Sequence, residues 1–267
     1  MTKTVQRQRL RLIAEIEELR DRAAIAARVR PFAAGTVLLR GRFRQTEAVI
    51  DTEPRLFAFY EAAVRTLDGG DALLPLPAPA PDGSAVCGIR HLLLDTPRLQ
   101  AILQAALRAS AFGRVSLLAP LVTTVQEIAA LRRAMERAMR ALAARSIPFD
   151  EGIELGVCIR TPAAVIGSRA LCEDADFVSV DVGLLGRLAL AAPQTEEHRA
   201  LWQEAQPLVR RLVEIAVGNA HAVGRRAILH AERASTAEDL AHWGAMGVDA
   251  LVLPDGELPR VMRHLRA

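Results

Sequence analysis

Aromatic side chains are scarce in this sequence, at 4% of residues, and the shortage bears first on nucleic acid. Single-strand binders stack bases on aromatic rings set in a basic groove, and duplex readers carry a basic stripe. Here the net charge is only +3. The basic excess sits at the two ends, in Lys3, Arg7, Arg9 and Arg11 and again in Arg260, Arg263 and Arg266. No nucleic-acid partner is expected. Cysteine is equally sparse. Cys87, Cys158 and Cys172 form no CxxC pair and no metal-ligand spacing, and a small odd count fits a reducing compartment. No apolar run reaches the roughly 18 residues of a membrane span. The first eight residues hold no signal-peptide core. The expectation is a cytoplasmic protein with no membrane partner. P-loop, GxGxxG and Ser/His/Asp patterns are also missing, which removes the common nucleotide-binding and hydrolase signatures.

What is present is a regular alternation of short apolar runs and longer amphipathic ones. Apolar residues make up 51% of the chain and charged residues 24%, the balance of a globular protein. Strand-like runs occur at 10–16, 36–40, 72–76, 115–119, 153–159, 177–182, 226–230 and 250–253. Helical patterns fall at 18–30, 56–67, 92–110, 124–145, from Pro162, at 196–223, at 236–246 behind Ser235, and at 258–267. Thr124, three residues before Glu127, has the form of a capping box. Pro75 weakens the third strand, because proline lacks a ladder donor. The Pro-rich stretch 75–81 reads as a long loop on the functional face. Apolar strands alternating with helices imply a parallel sheet covered by helices. Eight units in 267 residues predict an α/β fold, a single (β/α)8 TIM barrel over 1–267 with a basic extension at 1–9.

Such barrels keep their chemistry at the C-terminal ends of the strands. Arg160 occupies such a position. It closes Gly152-Ile-Glu-Leu-Gly-Val-Cys-Ile-Arg160, just before the helix-opening Thr161-Pro162.

Several runs resemble a known family. Leu107-Arg-Ala-Ser-Ala-Phe-Gly-Arg114, Leu118-Ala-Pro-Leu121 and Val125-Gln-Glu-Ile-Ala-Ala-Leu-Arg132 are similar to the C-terminal barrel of phosphoenolpyruvate-protein phosphotransferase, enzyme I of the bacterial sugar phosphotransferase system. Asp150-Glu-Gly-Ile through Thr161-Pro-Ala-Ala164 and Gly244-Ala-Met-Gly-Val-Asp249 extend the likeness. The same barrel occurs in pyruvate phosphate dikinase and phosphoenolpyruvate synthase. The resemblance runs from about Leu10 to the end. Nothing resembles the phosphohistidine and carrier-binding domains that precede the barrel in enzyme I.

The resemblance implies a phosphoenolpyruvate site built from arginines and one magnesium ion, whose charges stabilise phosphate and enolate. Arg40, ending the second strand, matches a phosphate-binding arginine. Arg90, in Cys87-Gly-Ile-Arg90, matches a second. The family arginine that ends the third strand is replaced by Pro75. The metal-binding glutamate is replaced by Arg160. In Ser179-Val-Asp-Val-Gly-Leu184, Gly183 and Leu184 stand where the family has a substrate-binding Asn and a metal-binding Asp. A later family arginine falls near Gln194. No magnesium and no other cofactor is therefore expected, since the metal ligands are replaced at Arg160 and Leu184.

Two readings of Arg160 stay open. Its guanidinium can take the place of the metal's positive charge, forming with Arg40 and Arg90 a pocket for a small anion such as phosphoenolpyruvate, phosphate or a carboxylate. Alternatively it pairs internally with Asp181 at the end of the neighbouring strand. His230 stands where the family has the cysteine that protonates the enol carbon, and Glu232 is kept two residues on. Histidine is a competent general acid near neutral pH, or here a hydrogen-bonded rim residue. His91, beside Arg90, has the same two readings, whereas His198, His221, His242 and His264 fall on helical patterns as solvent-facing residues.

The functional expectation is a divergent, non-catalytic barrel of this family that binds a small anion or regulates by interaction, assembled as a homodimer by family analogy. The alternatives are a lyase-like enzyme of enolate or pyruvate chemistry with His230 as acid/base, and a phosphotransferase barrel working with separate partner domains.

Overall fold

The computed structural model describes residues 11–16, 36–39, 53–67, 69–77, 88–231 and 237–266. Eight parallel strands follow one another around a closed barrel. They are β1 (Arg11–Ile16), β2 (Thr36–Leu39), β3 (Asp71–Pro75), β4 (Val115–Pro120), β5 (Glu154–Ile159), β6 (Phe177–Asp181), β7 (Arg226–His230) and β8 (Ala250–Pro254). Closure is made by β1 against β8, with Ile13 beside Val252 and Arg11 beside Ala250. This is the (β/α)8 barrel that the alternation predicts.

The period-two alternation of each strand divides its side chains between two cores. One set points into the barrel. Ile13, Leu73, Leu118, Cys158, Phe177, Ile228, Ala250 and Val252 pack there as a separate cluster. The other set, including Leu117, Val157, Val180 and Leu229, packs outward against the helices. Phe177 is the bulkiest buried side chain of the interior and lies beside Gly156 across the β5–β6 ladder. A Cβ on Gly156 would sit 2.2 Å from the Phe177 ring, so glycine is what admits the ring to the barrel floor.

The helical layer carries α1 (Glu53–Thr66), α2 (Ile89–Leu94), α3 (Thr96–Ser110), α4 (Val125–Ala143), α5 (Pro162–Ile166) and α6 (Ser168–Asp174). It continues through α7 (Val182–Leu190), α8 (Arg199–Glu204), α9 (Gln206–Ala222), α10 (Ala237–Ala245) and α11 (Leu258–Arg266). Glu127 accepts from the Thr124 backbone at 2.9 Å, as the capping-box spacing requires.

Three expectations need adjustment. The helix expected from 92 begins earlier and is cut at Asp95, whose carboxylate caps α3 through the Arg98 amide at 3.2 Å. The stretch 196–223 is a 3-10 turn followed by α8 and α9, and Pro207 sits in the first turn of α9, where its missing donor costs nothing. The strand expected to reach Val182 stops at Asp181, because that side chain caps α7 instead. Pro75 does end β3, and the amide of Leu76 takes up the Leu118 carbonyl at 2.9 Å. The helix expected at 18–30, the Ser235 cap and most of the Pro-rich loop lie outside the described residues.

Candidate active site

At the C-terminal mouth, inward positions of β5, β6 and β7 bring three predicted residues together. Arg160 follows the last residue of β5, and Thr161 behind it accepts the Ala164 amide at 3.1 Å to start α5. Asp181 ends β6 and lies directly across the ladder from His230, the last residue of β7. The two are each only 2% exposed.

The Asp181 carboxylate divides its oxygens. Oδ1 accepts the Leu184 amide at 3.0 Å, which fixes the first turn of α7. Oδ2 lies 3.1 Å from Arg160 Nε, with the arginine side chain 19% exposed and the aspartate 3%. Burial works against the guanidinium charge, but Cys158 and Asp181 outweigh it, and the Arg160 pKa is held above the ordinary arginine value. The arginine is thus a permanent cation whose nearest charge is its neighbour in the fold. A guanidinium has five N–H donors, so its contacts with Asp181 and Cys158 leave others for an anion.

Arg90 is placed differently. It lies in the first turn of α2, where its Nε meets Glu127 Oε1 at 2.8 Å and its Nη1 donates to the Leu121 carbonyl at 3.4 Å. Glu127 in turn receives the Thr123 amide at 2.8 Å, so Arg90 is tied to the N-terminus of α4. Gly88 precedes it with φ of 50°, and a Cβ there would stand 2.3 Å from that of Leu121. Arg40 and Glu232 lie outside the described residues. Gly183 and Leu184 belong to the first turn of α7, and Gln194 is exposed in the turn after it. His91 is half-buried in α2. Of the other helical histidines, His221 is exposed and contacts Asp249, while His198 and His242 are half-buried.

Two polar residues of the barrel interior escape a reading by motif. Ser179, wholly buried, stands between Phe177 and Asp181 on β6. Glu15, 7% exposed, follows Ile13 by two on β1 and so takes the same inward face. The signal for both is the alternation itself, since each continues an inward series toward the mouth. Among the described residues, no group of three or more His, Cys, Asp or Glu side chains stands close enough together to hold a metal ion.

A family model described as "PEP-utilising enzyme, PEP-binding domain" matches residues 64–267. The chain belongs to this family. The phosphoenolpyruvate-protein phosphotransferase of Buchnera aphidicola from Acyrthosiphon pisum is 28% identical over 208 residues, covering 76% of this chain and 36% of that protein. Its counterpart in Haemophilus influenzae is 29% identical over the same length and shares. The one in Lactococcus lactis subsp. cremoris is 30% identical over 193 residues, 70% of this chain and 34% of its own. The chain therefore spans about a third of the length of these curated relatives.

Solved structures share the PEP-utilising chain's fold at much lower identity. A citrate lyase from Burkholderia xenovorans superposes with a TM-score of 0.68 at 13% identity, over 95% of this chain and 76% of that one. Malate synthase of Haloferax volcanii, solved as a magnesium/glyoxylate complex, gives 0.62 at 12% over 93% and 73%. Pyruvate kinase of Pyrobaculum aerophilum gives 0.61 at 11% over 96% and 73%. No described helix is long and apolar enough to cross a membrane.

Proposed function

We propose that this chain is a PEP-utilising-family barrel that does not carry out magnesium-dependent phosphoryl transfer and acts as a small-anion-binding or regulatory protein. The observation that carries this reading is the ion pair of Arg160 with Asp181. It occupies the strand ends where the family sequence pattern has a metal-binding glutamate and, just beyond, a metal-binding aspartate. Magnesium takes oxygen ligands in a near-octahedral array. Here one such position holds a guanidinium and the other holds Leu184, while Asp181 has one oxygen on Arg160 and the other on the Leu184 amide. A cation at this mouth meets a fixed positive charge, so the residues do not fit the ion. A small carboxylate or phosphate instead meets the Arg160 guanidinium, which has more donors than its contacts with Asp181 and Cys158 require. By the same family resemblance, the assembly is a homodimer in the cytoplasm.

A second reading is supported by His230. Its burial across the ladder from Asp181 gives it a neighbour able to orient an imidazole for acid/base work on an enolate, as in lyase-like chemistry.

Thermal melting with phosphoenolpyruvate, oxalate or phosphate, each with and without magnesium, separates these readings. A ligand that binds only the folded state stabilises it by RT ln(1 + [L]/Kd). The expected result is stabilisation that is indifferent to magnesium and lost in Arg160→Ala. Stabilisation by phosphoenolpyruvate only when magnesium is present overturns the reading. Turnover of a pyruvate-derived acid, abolished by His230→Asn in a folded variant, would favour the second.

A further inference from the structure

The opposite end of the barrel holds a cavity of about 360 Å3, within the size range of small-molecule sites. Barrel interiors are ordinarily filled by side chains at this level. The inner wall is apolar and includes Phe177, Leu73, Ile228 and Ala250. Its rim is charged and carries both signs, three arginines and four carboxylates, with Asp150 in the loop before β5 among them. Arg11 opens β1, Asp71 opens β3, Arg114 precedes β4, Glu154 opens β5, Arg226 opens β7 and Asp249 precedes β8.

Opposite signs meet as contacts. Asp71 lies 3.1 Å from Arg114 and 3.7 Å from Arg11. Arg226 reaches both oxygens of Glu154, at 2.7 and 2.6 Å, with its guanidinium 5.6 Å above the Phe177 ring. Asp249 receives the Ala227 amide at 2.7 Å and His221 at 3.2 Å. Each arginine stands beside a carboxylate, so a ligand of either single sign meets repulsion as well as attraction. A ligand presenting both signs close together can meet arginine with its anion and carboxylate with its cation, while an apolar body fills the floor.

We propose that this N-terminal cavity is a second binding site, separate from the C-terminal mouth, for a zwitterionic amino acid with an apolar side chain. It stands independently of the function proposed above, because no residue is shared between the two ends. Wall and rim make different demands, apolar bulk below and paired charge above, and free amino acids of the leucine or phenylalanine type meet both.

The test is calorimetric titration of the full chain with L-leucine and L-phenylalanine, alongside isopentylamine and 4-methylpentanoate, which keep the body and one charge. Saturable binding of at least one amino acid, at least tenfold tighter than either single-charge analogue, is expected. Ala250→Leu fills the floor and leaves the rim unchanged, and should weaken that binding at least tenfold in a protein that still melts cooperatively. Should that variant not fold, Arg114→Gln at the exposed rim serves instead, with a loss of preference for the amino acid over the amine. Absence of saturable binding by both amino acids overturns the proposal. So does equal binding of the analogues, or undiminished binding in a folded Ala250→Leu protein.

Discussion

At the C-terminal end of the barrel Arg160 and Asp181 meet at 3.1 Å with side chains 19% and 3% exposed, whereas at the N-terminal end Arg114 and Asp71 meet at the same 3.1 Å with 81% and 26% exposed. The distances match and the surroundings do not. In water a guanidinium loses little when its carboxylate is removed, because solvent replaces the partner. Inside the mouth no such replacement is at hand, and Asp181 also holds the start of α7. Equal geometry therefore implies unequal consequence, and burial decides which pair the fold depends on.

The comparison can be broken most directly at Asp181. Asp181→Ala leaves Arg160 without its carboxylate and uncaps α7, and should cost about 3–5 kcal/mol, the range for breaking a buried pair. Urea unfolding measures it, and a cost below about 1 kcal/mol, the surface-pair range, would erase the contrast between the two ends. Between the two mouths lies the Phe177 floor. Gly156→Ala places a methyl against that ring and should cost about 1–3 kcal/mol by overpacking, read in the same melts.

A smaller effect comes from pH. Burial pushes the Cys172 thiol up to about 11, with Glu173 adding to the rise and Arg225 opposing it. A group held above its unfolded value contributes stability that is complete below the unfolded pKa, near 9, and lost as pH rises toward 11. Burial also raises the Tyr60 hydroxyl, which acts in the same direction. Arg160 keeps its charge through this window. The share of the alkaline loss carried by Cys172 and Tyr60 therefore belongs to the helical layer, and Cys172→Ala should flatten the decline in melting temperature between pH 9 and 11 while Arg160→Met should not. The smallest effect is expected from Arg114→Ala, less than about 1 kcal/mol and diminishing further in high salt.

Much of this architecture is legible without coordinates. The eight strands announce themselves as short apolar runs, and the capping box of α4 is written in Thr124 and Glu127. Arg160 declares its place through the Thr161-Pro162 that follows it. Other features depend on choices that periodicity leaves open. Asp181 can end a strand or cap a helix, and only the amide of Leu184 shows that it does the second while also meeting Arg160. The apolar run after it, Val182 to Leu190, looks like strand or loop until that cap is known. Glu15 and Ser179 carry no motif, and their burial comes from sharing a strand face with Ile13 and Phe177. The mixed-charge rim is harder still. Its charges are scattered from Arg11 to Asp249, and only the circular order of the strands turns them into neighbours.

The pairing of β1 with β8 has a consequence for where the protein may be cut. The family match begins at residue 64, so β1 and β2 fall outside it while the other six strands fall within. A fragment trimmed to the matched region would be an open six-stranded sheet with bare flanks at β3 and β8, each a row of unpaired amides and carbonyls. Such flanks recruit strands from other molecules. The two strands outside the matched range are what keep the six within it from sticking to one another.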